Sequence, residues 1–194
     1  AFVYDDVLTQ HVLSDTHPLK PVRLRYVYEL LDEYGAFESP TVQVAKPRMA
    51  AEAEVLSFHT PDYLRAVQDM SRGEEISDPE AYNLGPGDNP AFEGMYDAAL
   101  WSTGASVRAA ELVASGEVEA AFSISGGLHH AMPGYASGFC TFNDPVIAIK
   151  HLLSHGMSVA YVDIDCHHGD GVQHAFYDTD QVLTVSMHES AAFI

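Results

Sequence analysis

The chain has 194 residues, 47% of them apolar, with 28 acidic against 9 basic residues for a net charge of −19. That length supports one domain with a real core, and no apolar run approaches the ~20 residues that cross a bilayer. So acidic a surface lacks the basic footprint that nucleic acid demands; it tolerates a cationic ligand, but a solvated, soluble surface is the favoured reading.

The first residues, Ala1-Phe2-Val3-Tyr4-Asp5-Asp6, carry no basic and apolar leader of the secretory kind, so a cytoplasmic protein is expected. Two cysteines, Cys140 and Cys166, are too few for a disulfide scaffold and fit a reducing compartment, with Cys140 read as a buried, inert thiol.

A short strand is expected at Phe2 to Tyr4, then a helix from Pro21 to about Tyr34. Leu24, Val27, Leu30 and Leu31 recur there at helical spacing, and Gly35 stops it. Thr60-Pro61 reads as an N-cap followed by proline at the first helical position. Residues 71–89 are polar and turn-rich, leading into Gly85-Pro86-Gly87-Asp88-Asn89-Pro90, an exposed loop suited to facing a substrate. A long Ala-rich helix follows, about Ala91 to Ser115.

From there strands and helices alternate. Strands are expected at Ala120 to Ser125, Ser158 to Asp165 and Val182 to Met187, and helices at Asp144 to Leu153 and Gly171 to Tyr177. This alternation predicts an α/β fold, a parallel sheet flanked by helices, with ligands beyond the carboxyl ends of the strands. Both His-rich segments fall at such ends. The chain closes at Phe193-Ile194 just after a strand, so a domain truncated at its C-terminus is expected across residues 1–194.

The chemistry concentrates in three segments. In Asp163-Ile164-Asp165-Cys166-His167, residues two apart share a face of an extended chain. Asp165 and His167 are suitable ligands for zinc, and Asp163 is either a third ligand or a partner of one. The second segment is Ser125-Gly126-Gly127-Leu128-His129-His130. Adjacent histidines point in different directions, so each needs its own orienting carboxylate, and Asp163 and Asp170 are the spare acids. A single such residue is an ordinary polar group at a strand end; three acids and two histidines within eight residues, set among glycines, are not. The third segment, Ala136 through Asp144, is either an apolar channel lined by Gly138 and Phe139 or a packing loop leading into a helix capped at Asn143 or Asp144.

Together these segments resemble the histone deacetylase family, most of all its bacterial acetoin-utilisation (AcuC-type) branch. The resemblance rests on Gly126 to His130, Ser137 to Asp144 and Asp163 to Gly171, with weaker echoes at His17-Pro18, Phe58 to Leu64, Gly87 to Pro90 and Val185 to His188. It implies a three-layer arginase/deacetylase-like fold and a zinc-dependent hydrolase of acetyl-lysine or a related acetyl-amide. A small-amide or acetylpolyamine hydrolase, a two-manganese arginase-like enzyme and an inactive acetyl-ligand-binding fragment are the alternatives.

Residue by residue, the resemblance implies Asp165 and His167 as zinc ligands. His130 is implied as general base with Asp170, and His129 as its neighbour with Asp163. Gly138, Phe139 and Leu128 would line the acyl-lysine tunnel, Asp88 would hold substrate at the rim, and Arg23 would line an internal channel. Leu128 replaces an aromatic common among relatives, which loosens that wall. Potassium sites are implied at Asp163, Asp165, His167, Ser186 and Met187, and at Phe176, Thr179 and Val182. The family's third zinc-ligand Asp and its oxyanion Tyr lie in a more C-terminal region, so an incomplete zinc shell is expected.

Overall fold

A computed structural model describes residues 1–10 and 12–190. The segment ending at Ile194, expected to enter a further loop, lies outside the described residues.

The elements in chain order are β1 (Phe2–Val3), a 3-10 turn (Asp6–Gln10), α1 (Val22–Glu33), a 3-10 turn (Ala36–Glu38), β2 (Val44–Ala45), α2 (Glu52–Val55), α3 (Pro61–Ser71), a 3-10 turn (Glu80–Tyr82), α4 (Met95–Ala114), β3 (Phe122–Ser123), α5 (Asp144–Ser154), β4 (Val159–Asp163), α6 (Asp170–Phe176) and β5 (Val182–Ser186). All strand pairs are parallel, as the alternation predicts, but they form two separate groups. One runs β2-β1-β3 and the other β4-β5. The expected strand at Ala120 to Ser125 contracts to two residues and pairs with β1, in the register Phe2 with Phe122.

Local chemistry sets the helix ends. Thr60 caps α3 by accepting from the Tyr63 N–H, with Pro61 in the first turn. Asn143 caps α5 by accepting from Val146 N–H at 3.1 Å. The Ala-rich helix starts four residues later than its composition suggests, because Gly94 adopts φ 82°, a left-handed conformation that cannot continue a helix. In α1, Leu24 is buried while Val27 and Leu30 are exposed, against the periodicity reading. The packed face is instead Leu24, Tyr28 and Leu31 against Phe2 and Tyr4, and Tyr28 stacks on Tyr4 with ring centroids 4.2 Å apart.

The helix α4 is the central element, packing on α3, α5, β1 and β3. It comes so close to the chain at 48–50 that a side chain at Gly104 would meet Ala50 N at 2.5 Å. One core cluster, around Tyr63, Val67, Met95 and Phe142, lies under α3 and α4. Another, around Val146, Ile149, Val172 and Phe176, joins α5 and α6 to β4 and β5. The first of these clusters holds the loop 125–143, which carries the adjacent histidines, through Ala136 and Phe142. Among the described residues no helix is long and apolar enough to cross a membrane.

Candidate active site

The loop after β3 turns at two glycines, each needed for a different reason. Gly127 has φ 92°, and a side chain on Gly126 would meet Asp144 Oδ2 at 2.5 Å. The turn presents His129, which is buried, and His130, with ring centroids 4.0 Å apart.

Each histidine has its own carboxylate. His129 Nδ1 lies 2.5 Å from Asp163 Oδ2 at the end of β4. His130 Nδ1 lies 2.7 Å from Asp170 Oδ1 at the start of α6. With Nδ1 held on both rings, Nε2 is the free nitrogen on each. Asp163 also accepts from the Tyr161 hydroxyl at 2.5 Å and from Asp165 N–H at 3.0 Å. Burial works to raise Asp163, but the hydrogen bonds from Tyr161 and His129 outweigh it and keep the carboxyl below its usual range. Tyr161 is pushed upward, by burial first and by Asp163 second. Sequence reasoning missed Tyr161 in this role; its place two residues before Asp163 on one strand face was the available signal.

The strand ends at Asp163, so Asp163, Asp165 and His167 do not project as one row. Asp163 turns inward to His129, whereas Asp165 and His167 stay half-exposed and face each other. Asp165 Oδ1 lies 2.9 Å from His167 Nδ1. Two ligands of one zinc ion stand roughly 3.0–3.5 Å apart, given bonds near 2.0–2.2 Å, so the pair, closed here by a hydrogen bond, suits a divalent ion once it opens by a few tenths of an ångström. Among the described residues, Asp165, Cys166 and His167 form the group whose ligand atoms converge within 4.8 Å. The His167 ring stands edge-on to His130, centroids 5.7 Å apart, which places the metal-ligand pair beside the His–Asp pairs.

The loop at Gly138 flanks the same point. Gly138 and Phe139 both have positive φ, 50° and 71°, and are closed by the Ser137–Cys140 bridge. Gly138 packs so closely on His130 that a side chain there would meet the ring Cγ at 2.8 Å. Phe139 N–H donates to Asn89 Oδ1 at 3.0 Å, and its ring meets His17 edge-on at 4.5 Å. His17 Nε2 lies 3.3 Å from the Asp88 carbonyl. The structure thus brings Asp88, Gly138 and Phe139 to one rim. Cys140, just behind it, is buried, and burial pushes its thiol up to about 12, which fits the inert reading.

Arg23 and Leu128 are placed apart from that rim. They line a small, half-open pocket of about 30 Å³ with Leu8, Leu19, Pro21, Leu24, Ser102 and Ser125, so Leu128 faces the Arg23 pocket. Of the residues read as cation sites, Asp163 and Ser186 are paired across β4 and β5, and Met187 N–H donates to the Asp163 carbonyl at 2.9 Å. Phe176, Thr179 and Val182 span the connection from α6 to β5, with Thr179 N–H 3.4 Å from the Phe176 carbonyl.

A family model for the histone deacetylase domain matches residues 17–194. The acetoin utilization protein AcuC of Bacillus subtilis is 38% identical over all of this chain and half of its own length. Type-1 histone deacetylase 1 of Dictyostelium discoideum is 41% identical over 97% of the chain and 38% of its own length. A crystal structure of an HDAC homologue from Aquifex aeolicus superposes with a TM-score of 0.84 at 35% identity, covering 99% of this chain and 51% of that one. The structure of an HDAC homologue complexed with SAHA matches equally. The chain therefore spans half or less of the length of these curated relatives, and its α/β arrangement of parallel strands flanked by helices matches the solved homologue.

Proposed function

The chain belongs to the histone deacetylase family, and from that membership we propose that it carries the N-terminal part of a zinc-dependent deacetylase domain acting on acetyl-lysine or a related acetyl-amide. One observation carries the reading. Two histidines, each fixed through Nδ1 by a separate carboxylate, stand beside the Asp165–His167 pair.

Asp165 and His167 would hold the zinc ion, which would supply Lewis acidity toward an acyl carbonyl and a water molecule. The protein's own residues do the rest. His130, its Nδ1–H directed to Asp170, offers Nε2 to take the proton from the attacking water. The carboxylate of Asp170 stabilises the imidazolium that results. The His130 imidazolium then passes that proton to the departing amine nitrogen as the C–N bond breaks, while His129, paired with Asp163, stabilises the charge beside it; acetic acid and amine leave and exchange a proton as acetate and ammonium. Gly138 and Phe139 line the approach of the acyl chain and Asp88 holds the substrate backbone at the rim, while Arg23 and Leu128 line the internal channel. Potassium is proposed at the adjoining ends of β4 and β5 and at the α6–β5 connection. The proposed setting is cytoplasmic, in keeping with two free cysteines.

Turnover of acetyl-lysine peptides and acetylpolyamines by the full-length protein tests this, with zinc measured by mass spectrometry. Peptide turnover with zinc bound supports the proposal; turnover of acetylpolyamine alone would move the substrate class, and two manganese ions per chain would overturn the metal assignment.

A further inference from the structure

We infer that His59, Asn143 and Asp144 act as one positioning unit that holds the His129–His130 loop in register with Asp163 and Asp170, an inference that rests on the deacetylase reading. The sequence marks Asn143 and Asp144 only as a helix start. Their side chains do more than that.

Asn143 caps α5 through Oδ1, and its Nδ2 donates to the His129 carbonyl at 3.0 Å and the Ala131 carbonyl at 3.0 Å. One side chain thus grips the backbone on both sides of His130. Asp144 takes the preceding stretch. Its Oδ1 accepts from Leu128 N–H at 2.8 Å and its Oδ2 from Gly127 N–H at 3.1 Å. The Ser106 hydroxyl of α4 donates to the same Oδ2 at 2.5 Å. His59 takes the following stretch. Its Nε2 accepts from Asn143 N–H at 3.0 Å, so its Nδ1–H donates to the Met132 carbonyl, also at 3.0 Å. The three side chains are 0–2% exposed, where hydrogen bonds are well defined and a lost partner is costly.

The link to the His–Asp pairs is steric. Gly171 of α6 lies against the His129 and Ala131 carbonyls and Asn143 Nδ2, leaving no room for a side chain. The helix that carries Asp170 is therefore seated on the very atoms Asn143 holds. Moving those carbonyls moves the loop of His130 relative to its carboxylate. These residues touch no substrate; they act through the histidines.

Two variants of the full-length protein test this. Asn143→Ser keeps a helix cap and loses both donors to the loop. We expect kcat on an acetyl-lysine peptide to fall roughly 10–100-fold, since sub-ångström misplacement of a general base is costly, with KM and zinc content within about twofold. A kcat unchanged in the folded variant, or a fall matched by zinc loss or a rise in KM, overturns the inference. Asp144→Asn removes one acceptor and sets an amide N–H₂ toward backbone N–H groups. Hydrogen–deuterium exchange in the peptide 125–132 is expected to quicken about tenfold, the effect of one lost buried hydrogen bond. Unchanged exchange in folded Asp144→Asn overturns the hold on the loop whatever the activity. A parent protein that turns over no acetyl-amide, with exchange quickened in the variant, overturns the deacetylase reading and supports the hold.

Discussion

Replacing Gly171 with alanine sets two effects of opposite sign against each other. Gly171 is the second residue of α6, and in a helix Gly→Ala alone favours folding by up to about 1 kcal/mol. Here the new methyl would sit 2.5 Å from the His129 carbonyl, 2.6 Å from Asn143 Nδ2 and 2.7 Å from the Ala131 carbonyl. Reaching an ordinary contact near 3.4 Å requires the first turn of α6 to withdraw by 0.7–0.9 Å. Asp170 precedes Gly171 and bonds His130 at 2.7 Å; the same withdrawal takes that distance to about 3.5 Å, the outer limit of a hydrogen bond. Overpacking of this kind costs about 1–3 kcal/mol, and a catalytic pair displaced by about 1 Å loses roughly 10²-fold in rate. We therefore expect Gly171→Ala to be destabilised by about 1–3 kcal/mol in urea unfolding and to retain about 1% of parental kcat, with zinc still bound. Gly85→Ala, with nothing within 4 Å of the added methyl, is the control and should unfold like the parent. A Gly171→Ala protein as stable and as active as the parent would refute the seating of α6 on the histidine loop.

His130→Ala in the full-length protein is expected to lower turnover by roughly 10²–10⁴-fold with zinc content unchanged; loss of zinc would make His130 a ligand instead. Asp165→Ala should abolish stoichiometric zinc, read by mass spectrometry after dialysis, and full occupancy would contradict its assignment. The buried Asp144 predicts a pH effect. Desolvation outweighs its hydrogen bonds and raises its pKa from 3.8 to about 6. The folded state then binds the proton more tightly than the unfolded chain, so stability from this group is present below 3.8 and is lost as pH rises through 6. At about 1.4 kcal/mol per unit the swing is about 3 kcal/mol. The parent should therefore lose about 2 kcal/mol of this relative to Asp144→Asn between pH 4 and pH 7 in urea unfolding, the rest falling below pH 4, and parallel curves would show that Asp144 is not buried as described.

Local chemistry was legible in the sequence. The Thr60-Pro61 start, the α5 start at Asn143-Asp144 and the strand–helix alternation after residue 119 depend on neighbours a few residues apart, and the structure has them. So was the residue content of the candidate site proposed above, because so many acids and histidines among glycines at strand ends have few other uses. Strands were expected at Phe2 to Tyr4 and Ala120 to Ser125, and β1 and β3 form there with two residues each, whereas β2 was not legible, since so short a pairing leaves no period to read. Partnership is what the residues alone left open; the family resemblance implied it and the tertiary structure gives its physical cause. His129 finds Asp163 across 34 residues and His130 finds Asp170 across 40, because β4 stops at Asp163 and α6 seats its first turn on the loop. The same packing gave Asn143, Asp144 and His59 their grip on that loop, which propensity reads as no more than a helix cap and a turn. Hydrogen bonds between groups so distant in sequence are set by how elements pack, and by the few positions, such as Gly171, where nothing larger than a hydrogen atom fits between them.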